Sequence, residues 1–284
     1  EIEQPDWVVV VGDVTSTLAC ALVAVRMGIR VAHVEAGLRS GDRRMPEEIN
    51  RILTDSLSDL LFVTEQAGID NLQNEGIDKS KIHFVGNVMI DSLIHYRQKA
   101  SDLDTVRNMG LTAGSYVLMT MHRPANVDSE TGLRSIIQIV EDSARHHTVL
   151  FPVHPRTGTN LLRFGLMEQL AAIPNVRLLE PQGYLQFLNL MEHAFTVVTD
   201  SGGVQEETTH LQVPCLTFRD STERPGTVTL GTNTLLADLK PSTVVAELAN
   251  IRSGTAKRGT VLPLWDGGTA ERIAAHLLMA SNRH

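Results

Sequence analysis

The chain has 284 residues, of which 42% are hydrophobic and 20% are charged, and its formal net charge is −8. This length allows two domains with a sizeable core, and the composition is typical of a globular protein. The negative charge disfavours a general binder of nucleic acid or of anionic membranes, because such proteins are basic. No apolar run reaches the ~18 residues that span a bilayer, so we expect no membrane partner.

Two cysteines, Cys20 and Cys215, lie in apolar stretches of the sequence. We expect both thiols to be buried and inert. The sequence contains neither a CxxC pair typical of zinc sites nor a disulfide framework. This pattern favours a cytoplasmic protein without a metal site.

The first third of the chain alternates strand and helix patterns. Residues 7–11 (WVVVV) form a continuous β-branched run, as in a strand buried on both faces. An apolar helical stretch follows from Leu18 to Met27 and ends at Gly28, and RVAHVEAG predicts the next strand. A further helix begins at Pro46, which suits a first helical turn. This β-α-β order predicts a parallel sheet.

The same alternation resumes after a polar stretch, residues 96–114, which we interpret as a domain junction. We therefore predict a first domain at residues 1–97, a junction at 98–114, a second domain at 115–266 and a closing helix at 267–284. The predicted fold class is α/β, with two doubly wound Rossmann-like domains. The chain starts at Glu1 and reaches a strand almost at once. We therefore expect the first domain to be incomplete at its N-terminus.

Polar residues cluster where several predicted strands end, and ligands bind at the carboxyl ends of strands in such folds. In VVTDSGGVQEE, the stretch Ser201, Gly202 and Gly203 lies between a strand and a helix. A helix start binds phosphate through its free N–H groups, and glycine allows close approach. The alternative is a serine that caps its own helix. This motif is neither a dinucleotide-binding nor a Walker loop.

Three further basic sites follow predicted strands or loops. His122 and Arg123 could neutralise a diphosphate, although a structural arginine explains the pattern equally well. His154 lies in PVHPR, and Arg224 lies in TERP. Each of these sites alone is a weak signal for anion binding, since a histidine near a strand end is more often an ordinary loop residue. Together they predict a polyanionic ligand in one cleft.

The acidic candidates are Asp13, Glu35 and Glu47. Asp13 could cap the following helix, and Glu47 could pair with Arg51 at i,i+4 on a helix surface. Glu35 is different, because it ends a β-branched apolar strand and precedes Ala-Gly. We expect partial burial of Glu35, which would raise its pKa toward values useful for acid–base catalysis.

Nine motifs in this order resemble the bacterial non-hydrolysing UDP-N-acetylglucosamine 2-epimerases. They are GDVTSTLACALVA, HVEAGLRS, MPEEINR, FVTE, GNVMID, MHRPANVD, PVHPR, TDSGGVQEE and TERP. The resemblance implies a glycosyltransferase-B-like fold and the interconversion of UDP-N-acetylglucosamine and UDP-N-acetylmannosamine. The implied route eliminates UDP to give 2-acetamidoglucal and then adds UDP back, with no metal or nicotinamide. The family is usually homodimeric.

The resemblance also assigns residues. It implies that Asp13, Glu35, Glu47 and His122 carry the proton chemistry. It further implies that Phe187 lies against the uracil, that Glu207 binds the ribose and that Arg224 lies near the nucleotide. The remaining implied substrate-binding residues are Arg123, His154, Ser201, Gly202 and Gly203. Without the resemblance, Phe187 would be interpreted as a core residue and Glu207 as a helix-surface acid.

This sequence departs from the family pattern at three positions. Val14 replaces a common Thr, Ser56 replaces a common His, and Gly226 replaces a common Glu. The family also carries roughly eighty more residues at the front, so we expect an exposed sheet edge and apolar face. A glycosyltransferase of the same fold and an inactive nucleotide-sugar-binding module remain alternatives. A 3-acetamido or uronic-acid relative of the substrate would also fit these motifs.

Overall fold

The computed structural model describes residues 5–281. Its elements up to the middle of the chain are β1 (Trp7–Val11), α1 (Thr15–Arg26), β2 (Arg30–Ala36), α2 (Pro46–Leu57), β3 (Leu60–Val63), α3 (Gln66–Asn74), β4 (Ile82–Phe84), α4 (Val88–Asp102), α5 (Thr105–Asn108), β5 (Tyr116–Thr120), α6 (Pro124–Val127) and α7 (Glu130–Ala144). The rest are β6 (Thr148–Pro152), α8 (Pro155–Arg163), α9 (Met167–Ala171), β7 (Val176–Leu179), α10 (Tyr184–Glu192), β8 (Thr196–Thr199), α11 (Gly202–Leu211), β9 (Cys215–Phe218), α12 (Pro225–Thr229), β10 (Asn233–Leu236), α13 (Pro241–Ser253) and α14 (Thr269–Ser281).

The described residues form two compact units. Unit 1 consists of residues 5–92, Thr222–Gly226 and residues 262–281. Unit 2 consists of Leu93–Ser221 and Thr227–Val261. Both sheets are parallel and are layered with helices, which confirms the predicted α/β class.

Unit 1 contains a four-stranded parallel sheet in the order β1-β2-β3-β4. Alternate side chains of β2 and β3 pack against α14 on one face and against α1 and α3 on the other. Strand β1 lies at one edge, where Val9 and Val11 are 46% and 50% exposed. The predicted exposed edge and apolar face are therefore present at β1.

Helix α1 continues this exposed apolar surface, since Leu22, Val23 and Met27 are also exposed. Cys20 lies on the same helix and is exposed, whereas Cys215 is buried within β9. The prediction that both thiols are buried was wrong for Cys20. The apolar sequence around Cys20 indicated a buried helix, but only Thr17, Ala21 and Ala24 of α1 are buried.

Unit 2 contains a six-stranded parallel sheet in the order β10-β9-β8-β5-β6-β7. One face packs against α7, α8, α9 and α13, and the other packs against α5, α10 and α11. Helix α8 follows β6 after two residues, in a segment for which the sequence predicted no element. Among the residues from 5 to 281, no helix is both long and apolar enough to cross a bilayer.

Candidate active site

Asp13 and Glu35 lie at the carboxyl ends of the neighbouring strands β1 and β2 of unit 1. Their turns are joined, because the Gly12 N–H donates to the Val34 carbonyl at 3.1 Å. Asp13 does not cap α1, whose N-cap is Val14 without a side-chain hydrogen bond. Instead, Asp13 Oδ2 lies 2.5 Å from Arg51 Nη2. The capping interpretation of Asp13 is therefore wrong, and its carboxylate is held by a buried guanidinium.

Arg51 reaches inward from α2 and pairs with acids besides Asp13. Its Nη1 lies 3.0 Å from Glu48 Oε2, and the Glu48 carboxylate also accepts the backbone N–H groups of Ser40 and Gly41. Burial pushes the pKa of Glu48 up, but these hydrogen bonds outweigh burial and leave it below its ordinary value. The predicted surface pair of Glu47 and Arg51 is wrong, because Arg51 faces Glu48. Glu47 itself is half-buried in the first turn of α2.

Glu35 has a strained backbone conformation. Its φ of 69° lies in the left-handed region, which is strained for a residue with a side chain, and a bulge interrupts the register of β2 with β3 here. Its side chain is only 15% exposed. Burial raises the pKa of Glu35 and the Asp13 charge adds to this, while Arg224, His33 and Arg51 oppose it. The expected partial burial and raised pKa of Glu35 are confirmed.

The segment Thr222–Gly226 brings Arg224 to the same acids within unit 1. Arg224 Nη2 lies 3.8 Å from Glu35 Oε2, and Nη1 donates to Glu223. At the end of the segment, the Gly226 N–H donates to Glu65 Oε1 at 3.2 Å. Burial raises the pKa of Glu65 to about 7. Glu65 therefore holds the segment that carries Arg224.

Gly226 leaves room for this contact. A Cβ on Gly226 would lie 2.6 Å from Leu262 Cδ2 and 2.9 Å from Glu65 Oε2. The glutamate that many family members carry here would not fit without a shift of these neighbours. Of the other two departures, Val14 and Ser56 are both exposed, and the Ser56 hydroxyl donates to the Ile52 carbonyl of its own helix.

His122 and Asp200 form the centre of a second polar cluster, in unit 2. His122 follows β5 and Asp200 follows β8, two strands that pair directly. His122 Nδ1 lies 3.0 Å from Asp200 Oδ1, and the backbone N–H groups of His122 and Arg123 also donate to this carboxylate. Burial pushes the pKa of Asp200 up, but these hydrogen bonds and that of Asn126 outweigh burial and keep it low. An ionised Asp200 orients the imidazole and leaves Nε2 available.

His154 lies beside this pair, with its ring centroid 5.2 Å from that of His122. Its Nδ1 accepts the Arg156 N–H at 3.2 Å, so His154 caps α8. Burial lowers the pKa of His154, and His122 adds to this effect. The Arg156 guanidinium pairs with Asp128 instead, with Nε 2.7 Å from Oδ1. Arg156 is therefore engaged outside the His122 cluster.

Ser201, Gly202 and Gly203 begin α11, next to Asp200. Ser201 occupies the N-cap position, but its side chain makes no capping hydrogen bond. The alternative is therefore correct for the N-cap position of Ser201 and wrong for a side-chain hydrogen bond that caps the helix. An uncapped N-terminus of a ten-residue helix presents its first N–H groups to an anion.

A third group of candidate residues in unit 2 lies where α10 contacts α11. Glu207 is buried, and a hydrogen bond joins it to Tyr184. Burial raises the pKa of Glu207 to about 7, while the bond with Tyr184 lowers it. The interpretation of Glu207 as a surface acid is wrong, because α11 is buried from Val204 to Thr209. Phe187, one turn along α10 from Tyr184, is half-buried against the core of this face.

The structure thus brings together Asp13, Glu35 and Arg224 in unit 1, with Glu47 on the adjoining helix. In unit 2 it brings together His122, Arg123, His154 and the start of α11, while Phe187 and Glu207 lie on α10 and α11. Sequence reasoning missed His33, Asp55 and Glu65, which are all buried around the acids of unit 1. The signal for His33 was a histidine within an apolar strand. Among the described residues, no group of histidine, cysteine and acidic side chains could hold a metal ion.

Comparison with known proteins shows which family the chain is similar to. The family model described as UDP-N-acetylglucosamine 2-epimerase matches residues 1–278. The UDP-N-acetylglucosamine 2-epimerase of Methanocaldococcus jannaschii is 43% identical over 276 residues, which cover 95% of this chain and 75% of the relative. The UDP-2,3-diacetamido-2,3-dideoxy-D-glucuronate 2-epimerase of Pseudomonas aeruginosa is 40% identical over 280 residues, which cover 97% and 75%.

A solved structure agrees with these sequence relatives. The crystal structure of the M. jannaschii UDP-GlcNAc 2-epimerase in complex with UDP-GlcNAc and UDP matches with a TM-score of 0.87 and 41% identity. The match covers 98% of this chain and 77% of that one. This similarity confirms the glycosyltransferase-B-like fold. The chain therefore belongs to the UDP-N-acetylglucosamine 2-epimerase family of isomerases.

Proposed function

We propose that this chain interconverts UDP-N-acetylglucosamine and UDP-N-acetylmannosamine without hydrolysing them. Family membership and the identity to the M. jannaschii enzyme support this reaction over transfer to an acceptor sugar. The observation that carries the proposal is Glu35, a mostly buried carboxyl with a raised pKa, a strained backbone and a neighbouring carboxylate. Such a group is suited to moving a proton near neutral pH.

In this proposal, unit 1 carries the proton chemistry. A base removes the C2 proton, the C1–O bond breaks and UDP leaves with the bonding electrons, which gives 2-acetamidoglucal. The return of UDP to C1 and of a proton to the opposite face of C2 completes the epimerisation. Glu35 and Asp13 are the proposed acid–base groups, with Glu47 as the third. Arg51 and Arg224 balance the charge of this cluster.

Unit 2 carries the groups for the nucleotide. The free N–H groups at the start of α11 are proposed to bind a phosphate, and His122, oriented by Asp200, to stabilise the charge that develops on departing UDP. Arg123 and His154 are proposed to bind the diphosphate. Phe187 and Glu207 are proposed to bind the uracil and the ribose, and the raised pKa of Glu207 would let it act as a hydrogen-bond donor or acceptor.

A second UDP-sugar is a candidate substrate and should be tested in the same assay. The P. aeruginosa relative is 40% identical over 280 residues, and its name specifies a 2,3-diacetamido glucuronate sugar. The chain is therefore a candidate 2-epimerase for that UDP-sugar as well. The faster of the two reactions at equal substrate concentration identifies the preferred substituents at C3 and C6.

The test is incubation of the chain with each UDP-sugar in D2O, followed by proton NMR of the C2 position. We expect loss of the C2 proton signal and growth of the epimer. Glu35→Gln should slow this exchange by about 10²- to 10⁴-fold, the usual contribution of a general acid or base. The control is Glu141→Gln, an exposed acid on α7, which should exchange at the wild-type rate.

Calorimetric titration with UDP, with ADP as the comparison, completes the test. We expect selective binding of UDP by wild type and by Glu35→Gln. Full retention of the C2 proton by protein that binds UDP would overturn the epimerase assignment, and dependence on an acceptor sugar would favour a transferase. Two features, homodimerisation and a cytoplasmic location, stay predictions; analytical ultracentrifugation tests the first.

A further inference from the structure

His33 lies in the interior of the unit 1 sheet, and both of its ring nitrogens have partners. It is fully buried on β2, between β1 and β3. Nδ1 lies 2.6 Å from Asp55 Oδ1, and Nε2 lies 2.9 Å from the Gly12 carbonyl oxygen. A histidine that uses both nitrogens inside an apolar strand is fixed in orientation.

The partners also determine the protonation of the ring. The Gly12 carbonyl oxygen can only accept a hydrogen bond, so Nε2 carries a hydrogen. The Asp55 carboxylate accepts the Gly37 N–H at 3.1 Å, and its Oδ2 lies 2.8 Å from Arg39 Nη2. A carboxylate with these donors is ionised and also accepts only, so Nδ1 carries a hydrogen too. Both nitrogens are donors only in the positively charged imidazolium.

This charge lies beside the proposed acid–base groups. Gly12 adopts the left-handed turn that leads into Asp13, and the His33 bond holds the carbonyl of that turn. Glu35 is two residues further along β2. The positive charge of His33 lowers the pKa of Glu35 and so opposes the effect of burial. The groups that face His33 are Asp55 from α2 with Arg39 behind it, the Gly12 carbonyl from β1, and Glu35 on its own strand.

We propose that His33 is a positioning residue, held as an imidazolium by Asp55, that fixes the Gly12–Asp13 turn and supplies positive charge to Glu35. The catalytic half of this proposal rests on the proposed function. The charge of His33 does not, because it follows from the hydrogen-bond partners alone. The two halves therefore have separate measurements.

The charge is tested by NMR on protein labelled with ¹⁵N in its histidines. Long-range ¹H–¹⁵N correlation at pH 8 distinguishes protonated from unprotonated ring nitrogens, and His33→Gln identifies the signal. An exposed histidine, with an ordinary pKa near 6.5, is mostly neutral at this pH. We expect two protonated nitrogens for His33. One unprotonated nitrogen in the wild-type protein would overturn the assignment.

Asp55→Asn removes the negative charge of Asp55, and with it the positive charge of His33, while it preserves the shape of the side chain. Its amide oxygen can still accept from Gly37 and Arg39, and its NH₂ can donate to Nδ1. His33 then becomes neutral and keeps its bond to Gly12, so one ring nitrogen should move to the unprotonated position. Two protonated nitrogens in this variant would overturn the role of Asp55.

The catalytic half is tested by the pH profile of kcat/KM for C2 proton exchange. Asp55→Asn removes the charges of both Asp55 and His33, and of these two the His33 charge is the one that lowers the pKa of Glu35. The pKa of Glu35 should therefore rise, and the limb of the profile that reports Glu35 should move to higher pH by up to about one unit, with kcat reduced about tenfold and KM little changed. The control is Asp70→Asn, the same change at an exposed acid on α3. An unchanged profile in folded Asp55→Asn would overturn the catalytic role. Absence of exchange in the wild type would instead refute the proposed function and leave the NMR result standing.

Discussion

Glu65→Gln is expected to make unit 1 more stable at alkaline pH and to leave it almost unchanged at acidic pH. Glu65 is 3% exposed, and burial raises its pKa from 4.5 to about 7. Between these values the folded state keeps the proton and the unfolded state loses it. The stabilisation is therefore complete below pH 4.5 and is lost as the pH rises through 7. Glutamine stays neutral and can still accept the Gly226 N–H.

The size of the effect follows from the pKa. One pKa unit corresponds to about 1.4 kcal/mol, so the full effect of this shift is about 3 kcal/mol. Raising the pH from 5 to 8 removes about 2.5 kcal/mol of this stabilisation from the wild-type protein. The free energy of unfolding of Glu65→Gln should therefore gain about this amount over wild type when the pH is raised from 5 to 8.

The assay is urea unfolding followed by tryptophan fluorescence. The two tryptophans of the chain, Trp7 and Trp265, both lie in unit 1. Trp265 is buried, and its indole N–H donates to the carbonyl of Thr64, the residue before Glu65. Glu141→Gln, on the surface of α7, is the matched control and should track wild type at both pH values. The reasoning fails if the difference between wild type and Glu65→Gln is the same at pH 5 and pH 8.

Two further substitutions test one contact in unit 1 and one contact in unit 2. Gly226→Ala should lower the free energy of unfolding by about 1–3 kcal/mol, because the new Cβ would press on Leu262 and Glu65; wild-type stability in urea would contradict the packing around Gly226. Tyr184→Phe removes the hydrogen bond that lowers the pKa of Glu207, so that pKa should rise above about 7. The variant should then lose about 1 kcal/mol more stability at pH 8 than at pH 5, as measured by chemical denaturation, and an equal loss at both pH values would refute the pairing.

The sequence predicted most of the strands that carry the site, because their signals are local. The continuous β-branched run at residues 7–11 predicted a strand, and the structure has β1 there. The expected burial on both faces was wrong, because Val9 and Val11 are exposed. Pro46 predicted the start of α2, and Gly28, with its positive φ, follows the end of α1. The partial burial of Glu35 was also predictable, since it ends an apolar strand.

Other features had no local signal. Helix α8 and the region from β10 to α13 were missed. PRTGTNLLR has only two apolar side chains beyond its proline, Leu161 and Leu162, and α13 lacks a clear apolar period. The sheet edge at β1 leaves one side of α1 exposed, which an apolar helix sequence does not reveal, and so Cys20 was placed wrongly. Glu207 was assigned to a helix surface, whereas the packing of α10 and α11 buries it.

Local signals in the sequence predicted the order of most elements, the family and the residue types of the candidate site, since these depend on neighbours along the chain. Tertiary structure decided which charges meet. Arg51 binds Asp13, 38 residues away, rather than Glu47 on its own helix. Glu65 meets Gly226 across 161 residues. His33 is charged because Asp55 and Gly12, from other elements, both offer it only acceptors. The protonation of a buried group depends on such distant partners, and the chain must fold before they surround it.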